Sequence, residues 1–309
     1  MPPAERTAQS YGPGVTTASK AVLLELMTVL RAYHDALVLV GGWAPYFLLE
    51  QGRRAGDAFA HVGSIDIDLA VDPSRVGDVG YASMVELLTE RGYRPAPDRR
   101  GIPIPTSLER MVSSPVTKKP YTIRVDFLTH PAAPGSARGR TEVQDGLFAR
   151  KLKGCEAAFT HRTTLPLRGV LPDGGELTVP IHVADVAAML TMKGIVLGER
   201  YREMDAYDLY ALIGHHGPGP RAVAEAIRPW LREPLVREAM TNIREAFGRR
   251  EAHGPAWVAS FLVHPALAAE RDRLITDAFM VVTEFTQRLA DLDAVPPPAS
   301  LRLGLAGVA

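Results

Sequence analysis

The chain has 309 residues, 46% of them hydrophobic and 23% charged, and its 35 basic and 35 acidic side chains cancel to a formal charge of zero. That length allows two modest domains with an ordinary core, and the neutral total names no partner. A single cysteine, Cys155, excludes an intramolecular disulfide or a cysteine zinc cluster and suits a reducing cytoplasm, and no apolar run approaches the roughly 20 residues of a membrane span.

Met1 to Thr17 is polar, contains Pro and Gly, and lacks the apolar segment of a leader or anchor, so it is expected to be disordered. Ala18 to Tyr33 carries Val22, Leu23, Leu26, Val29 and Leu30 at helical spacing. Ala36 to Val40 is a short apolar run stopped by Gly41-Gly42 and reads as a buried strand, with a helix over Trp43 to Gln51 behind it. Arg53 to Val62 reads as a loop and Ile65 to Val71 as a strand closed by Asp72-Pro73. Met84 to Arg91 is helical. Tyr121 to Leu128 alternates Ile123, Val125 and Phe127 with Thr122, Arg124 and Asp126, the pattern of a half-buried strand. His130 to Gly139 is a loop, and Leu165 to Ile181 reads as a hairpin around Pro172-Asp173-Gly174-Gly175.

From Asp185 the pattern becomes helical: Val186 to Leu197, Tyr201 to Ile213, Ala222 to Phe247 with a break near Pro234, Ala256 to Leu262, and Leu267 to Ala290. Pro296 to Pro298 opens a loose tail. The expected fold is therefore α/β (α+β), a mixed-sheet domain over 18–183 followed by a helical domain over 184–292, with 293–309 as the tail. Charge is uneven along it. Between Arg91 and Val170, 15 Lys/Arg face 6 Asp/Glu, a net of +9, which suits either a polyanionic partner or an ordinary solvated surface.

Gly41-Gly42 ends a strand and opens a helix, where glycine lets a backbone approach a ligand and the helix N-terminus offers free N–H groups to phosphate. The same residues also serve plain turn geometry. In Ser64-Ile65-Asp66-Ile67-Asp68 the period of a strand sends Ile65 and Ile67 to one face and Ser64, Asp66 and Asp68 to the other. Two carboxylates about 6–7 Å apart along a strand repel each other unless a hard cation such as Mg²⁺ is held between them. Asp126 is a third carboxylate on a strand and a candidate ligand or base, or else a partner for a neighbouring cation. Lys193 interrupts the apolar stripe of Val186, Met189, Leu190 and Leu197, a costly position unless it reaches an anion or snorkels at the edge. Asp208 is suited to pair with it, while Asp205 reads more simply as a surface partner of Arg202. Arg53, Arg54, His61 and Ser64 lie ahead of the paired carboxylates, and Ser64 is a candidate phosphate contact. His215-His216 follows a helix end and reads as a cap or turn.

Taken together, Gly41-Gly42-Trp43-Ala44 followed by Asp66-Ile67-Asp68 resembles the signature of the DNA polymerase β-like nucleotidyltransferase superfamily. The stretch from Lys193 to Tyr210 resembles the second half of the AbiEii/AbiGii family, which includes type IV toxin–antitoxin toxins and MenT-type relatives. The resemblance spans roughly residues 35 to 215. It implies transfer of a nucleotide from an NTP with Mg²⁺, or alternatively Mn²⁺, and for MenT-type relatives an RNA acceptor, the 3′ end of tRNA, together with a cognate antitoxin. Carried over by motif, Ser64 and Asp66 match the first motif, Asp68 its second carboxylate, Lys193 the family's lysine, Asp208 the late aspartate and Asp126 the superfamily's third carboxylate. Gly41, Gly42, Ser64 and Lys193 would bind the nucleotide; Asp66, Asp68 and Asp126 would hold the metal. One feature points elsewhere. Gly-Gly-Trp-Ala resembles small-molecule nucleotidyltransferases acting on aminoglycosides or lincosamides, but those usually carry Arg-x-His directly before Asp-x-Asp, and here His61 stands five residues before Asp66 instead of two. A small-molecule enzyme and a non-catalytic nucleotide- or antitoxin-binding module are therefore the alternatives.

Overall fold

The continuous apolar run before Gly41 is the centre of the sheet. In the computed structural model, which describes residues 6–53, 58–77, 82–131, 139–199 and 203–294, β1 (Leu37–Val40) is buried at every position. A strand buried on both faces needs apolar side chains without alternation, and Leu-Val-Leu-Val supplies them. β2 (Ile67–Val71) lies antiparallel on one side of β1, and β9 (Glu176–Ala184) lies parallel on the other. β5 (Pro120–Thr129) runs parallel to β2, and β4 (Pro103–Ser113) and β3 (Arg94–Pro97) extend that edge. β8 (Arg162–Val170) closes the opposite edge as the expected hairpin with β9. Beyond the end of β4, β7 (Leu147–Lys151) pairs with β5, and β6 (Arg140–Gln144) pairs with β7. The sheet is mixed, in the order β3-β4-β5-β2-β1-β9-β8.

The N-terminal expectation is corrected. Over its described part, the stretch expected to be disordered holds a 3-10 turn at Ala8–Ser10 and the opening of α1 (Pro13–Val29). Proline at the first helical position costs no hydrogen bond and starts the helix earlier than the apolar spacing suggests. α1 buries Ala18, Val22 and Leu26 against the sheet, and a 3-10 turn at Arg31–Ala36 leads into β1. The paired-carboxylate strand is also shorter than expected. It begins at Ile67, because β1 ends at Val40 opposite Asp68 and then turns away, leaving 64–66 without a partner strand. α3 (Met84–Glu90) starts with a capping box between Ser83 and Glu86, and the short α4 (Glu156–Thr160) precedes β8.

The helical region follows as expected: α5 (Val186–Glu199), α6 (Glu203–His215), α7 (Pro220–Ile227), α8 (Pro234–Phe247), α9 (His253–Leu262) and α10 (Ala268–Ala294). α5 is not striped but buried all round from Val186 to Leu197, as a helix apolar on every face must be. It packs closely on α8 at Gly194, where a Cβ would stand 2.7 Å from the Ala239 carbonyl oxygen. α10 buries Ala278, Val282, Phe285 and Leu289, a stripe at helical spacing. α2 (Trp43–Gly52) touches β1, β9, α5 and α6, and so ties the helices to the sheet beside Gly41. No helix among the described residues is long and apolar enough to cross a membrane. Arg54, Arg202 and the tail from Pro296 lie outside the described residues.

Candidate active site

Two strand ends and a glycine turn meet at one point. β2 and β5 run parallel in a register that sets Asp68 directly beside Asp126, so both carboxylates leave the same face about 4.8 Å apart at the backbone. Gly41 follows β1 with φ +66°, and a Cβ there would lie 2.1 Å from Asp68 Oδ2. Glycine at 41 is thus required twice, by its backbone conformation and by the carboxylate against it. At Gly42, the N-cap of α2, a Cβ would meet the Met204 methyl at 2.8 Å and Ser64 Oγ at 3.0 Å. The buried Ser64 hydroxyl donates to the Asp66 carbonyl at 2.8 Å, so in this state it orders the loop that carries Asp66.

The three carboxylates are not equivalent. Asp68 is pushed up to about 7 by burial and by the negative charges of Asp126 and Asp66, with Lys193 and Arg150 pulling the other way. Asp126 accepts a hydrogen bond from Ser107, its register partner on β4. Asp66 lies outside the strand, and its carboxylate is bonded by the Arg6 guanidinium from the N-terminal segment. Consistent with that diversion, the three aspartates are not a set whose donor atoms all lie within 4.8 Å of one another. The donor chemistry nonetheless suits a hard divalent cation: three carboxylates and no soft ligand, with one of them driven toward protonation by burial and by its neighbours.

Behind this centre lies a second, fully buried group. Lys193 Nζ is 2.7 Å from Asp205 Oδ1 and 2.6 Å from Asp208 Oδ2. Burial lowers the lysine's proton affinity, but Asp205 and Asp208 more than offset it, and the net direction is upward. Asp208 is bonded on its other oxygen by His61 Nε2 at 2.9 Å, and both of those side chains have no exposure. His61 Nδ1 accepts the Gly63 backbone N–H at 3.1 Å, which assigns the imidazole proton to Nε2, donating to Asp208. Tyr207 stacks on His61 at 5.0 Å and accepts the Val62 N–H. Tyr11 caps the group, donating to the Met204 sulfur at 2.8 Å. Its phenol is pushed up to about 12 by burial, with Arg6 opposing and Asp208 and Asp66 adding to the rise.

No family model matches this chain, and no curated protein does. Two solved structures align with it. The crystal structure of JHP933 from Helicobacter pylori is 13% identical with a TM-score of 0.37, covering 91% of this chain and 96% of that one. A second H. pylori structure, described as a candidate nucleotidyltransferase, is 13% identical with a TM-score of 0.36, covering 87% and 96%.

The fold therefore gathers Gly41, Gly42, Ser64, Asp66, Asp68 and Asp126 at one place and sets Lys193 and Asp208 behind them. Asp205 is corrected from a surface residue to a buried partner of Lys193. Arg53 is diverted, pairing with Glu50 at the end of α2, and His215 ends α6 stacked on Phe59 at 3.7 Å. Sequence reasoning missed the partner of His61, the arrival of Arg6 and Tyr11, and Arg150. Arg150 sits opposite Leu128 in the parallel β5–β7 register, on the Asp126 face, where its charge is felt by Asp68. An apolar-flanked histidine in a loop was the signal available for His61; Arg150 offered none before the register was known.

Proposed function

We propose that this chain is a metal-dependent nucleotidyltransferase that moves a nucleotide from an NTP to an RNA, with the 3′ end of tRNA as acceptor, and that it acts as a growth-arresting toxin with a cognate antitoxin. The observation that carries the enzymatic reading is the matched Asp68–Asp126 pair facing the Gly41 turn, where burial together with the neighbouring carboxylates raises Asp68 to about 7. Such crowding costs stability and is kept where a cation is to be bound. The RNA and toxin readings rest on the resemblance of the Lys193 to Tyr210 stretch.

Asp66, Asp68 and Asp126 would hold Mg²⁺ or Mn²⁺, once Asp66 turns from Arg6. A bound cation there supplies charge neutralisation to the triphosphate. The turn at Gly41-Gly42 and the first N–H groups of α2, with Ser64, cradle phosphate. The acceptor hydroxyl oxygen forms a bond to the α-phosphorus while the α–β phosphoanhydride bond breaks, and pyrophosphate leaves with the electron pair. Asp126 takes the hydroxyl proton, held in place by Ser107. Lys193, oriented by Asp208 and Asp205, sets a fixed positive charge behind Asp68 and the phosphates. The site then draws on both parts of the chain, the sheet of 18–183 and the helices of 184–292.

Trp43, the residue that invites comparison with antibiotic-modifying enzymes, is buried and donates its indole N–H to Ser19 Oγ at 3.0 Å. Its identity reports packing under α1, so it does not favour a small-molecule acceptor. The test is incubation of the purified protein with each α-labelled NTP, Mg²⁺ or Mn²⁺, and total RNA. A labelled band at tRNA size is expected with the wild type and not with Asp68→Asn or Asp126→Asn. Label transfer that survives both substitutions overturns the assignment, and transfer to an aminoglycoside but not to RNA overturns the acceptor.

A further inference from the structure

A second cluster of ligating side chains lies at the far end of β1, separated from Gly41 by the length of that strand, about 13 Å. His34 and Asp35 sit on the 3-10 turn before β1, and His182 sits on β9. Among the described residues, these are the three metal-ligating side chains whose donor atoms all lie within 4.8 Å of one another. We propose that they form a site for a borderline transition-metal ion, Zn²⁺ or a neighbour of it, that clamps the turn before β1 to the β8–β9 hairpin. The inference stands apart from the nucleotidyltransferase reading, because it uses other residues and another class of ion.

Geometry carries the argument. His34 Nδ1 is 3.3 Å from Asp35 Oδ1, and His182 Nε2 is 3.5 Å from the same oxygen. Charge-assisted hydrogen bonds close to about 2.7–2.9 Å. Ligands on one tetrahedral ion at about 2.0–2.1 Å stand about 3.3 Å from each other. The cluster is thus loose for hydrogen bonds and correctly spaced for a shared ion. The two imidazoles are 4.0 Å apart at their centroids, too close for both to be cationic without cost.

The surroundings fit as well. His182 Nδ1 is 2.9 Å from Thr164 Oγ1 on the paired strand β8. A ligating histidine normally has its other ring nitrogen held in this way, which fixes the tautomer and aims the free lone pair. With the proton on Nδ1 and donated to Thr164, the Nε2 lone pair faces the Asp35 carboxylate at 3.5 Å, an arrangement that a shared cation satisfies. Both imidazoles are largely covered, whereas the Asp35 side chain is 81% exposed, so the open side can take water as a fourth ligand. Two imidazoles and one carboxylate select a borderline ion over Mg²⁺. Arg162 bonds the Asp35 carbonyl at 3.1 Å and sets a positive charge against the ion, and among the described residues His34 Nε2 is buried with no hydrogen-bond partner.

The experiment is equilibrium dialysis of the chelator-treated full chain against Zn²⁺, with Mg²⁺ in parallel and Co²⁺ as a spectroscopic probe. In Asp68→Asn protein, which disables the proposed Mg²⁺ site, one Zn²⁺ per chain is expected, competed by Co²⁺ but not by Mg²⁺, with Co²⁺ giving the visible absorption of a non-octahedral site. His34→Gln and His182→Gln should each weaken Zn²⁺ binding by at least about tenfold, and Thr164→Val, which touches no ion, by about tenfold as well. His264→Gln, a histidine outside the cluster, should leave it unchanged. No Zn²⁺ bound, an octahedral Co²⁺ spectrum, or binding indifferent to His34→Gln and His182→Gln would each overturn the proposal. Should a histidine variant fail to fold, the Co²⁺ spectrum of the Asp68→Asn protein still decides.

Discussion

Two groups of charges lie back to back in this molecule, and they are balanced in opposite ways. Lys193, Asp205, Asp208 and His61 are buried and interlocked by contacts of 2.6–2.9 Å. Asp66, Asp68 and Asp126 crowd three like charges at the strand ends, and what touches them is the half-exposed Arg6 guanidinium and a serine hydroxyl, with the charges of Lys193 and Arg150 acting on Asp68 besides. A satisfied buried network holds structure, whereas a crowded, partly open one is held by structure at a cost. The contrast separates two roles that one list of conspicuous aspartates and a lysine would merge: under the proposed function the open group takes the ligand, while the closed group fixes helices α5 and α6 against the loop of His61 and so holds the Lys193 charge behind it.

If that division is correct, removing charge should have opposite effects on stability in the two groups. Lys193→Met keeps the side-chain length but leaves Asp205 and Asp208 buried against each other, and it should cost about 3–5 kcal/mol in a urea unfolding curve. Adding Asp208→Asn to it should recover part of that loss. Asp68→Asn should instead raise stability while cutting nucleotide transfer by about a thousandfold or more, the size expected when a ligand for the reacting phosphates is lost. The pH dependence supplies the sign. Asp68 binds its proton up to about 7 in the fold, but only up to its ordinary acidic value when unfolded. The folded state therefore holds more protons between the two, and stability contributed by this group falls as pH rises through that window. In metal-free Asp68→Asn the fall should flatten. An unchanged slope in thermal melts from about pH 5 to pH 8 would remove the crowding argument.

How legible each group was in the sequence follows from how local its physics is. Asp68 could be read, because the alternation of Ile67, Asp68 and Leu69 fixes its face within a few residues. Asp66 could not be placed correctly, because the strand stops where β1 turns away at Gly41, and that depends on the pairing of Asp68 with Val40, 28 residues earlier in the chain. Asp126 was conspicuous, yet its position beside Asp68 is a property of the parallel register. Lys193 stood out because a charge inside an apolar helix needs an anion, and Asp208 was its readable partner. Asp205 looked like a surface residue because helical spacing alone cannot say that α6 is buried over nearly its whole length. His61 bonds Asp208 across 147 residues, and no local pattern announces that. The sheet and the helical region were legible as classes from periodicity; the order β3-β4-β5-β2-β1-β9-β8 was not, since it is set by long-range pairing.

The smallest expected effect tests where the open group ends. Arg6 reaches Asp66 from a segment whose composition suggested disorder, and its side chain is half exposed. An exposed ion pair of this kind contributes little, so Arg6→Ala should shift stability by no more than about 0.5 kcal/mol. Its effect on the site should be the larger of the two. The guanidinium holds the carboxylate that must turn toward Asp68 and Asp126 to complete a cation site, so its removal frees a ligand and takes away a competing positive charge. Divalent cation binding to the Arg6→Ala protein, followed by titration calorimetry, should therefore tighten by several-fold, about 1 kcal/mol for a fivefold change. Weaker binding would mean instead that Arg6 supports the site with its charge on the phosphates, and the N-terminal segment would then belong to the binding machinery and not to its competition.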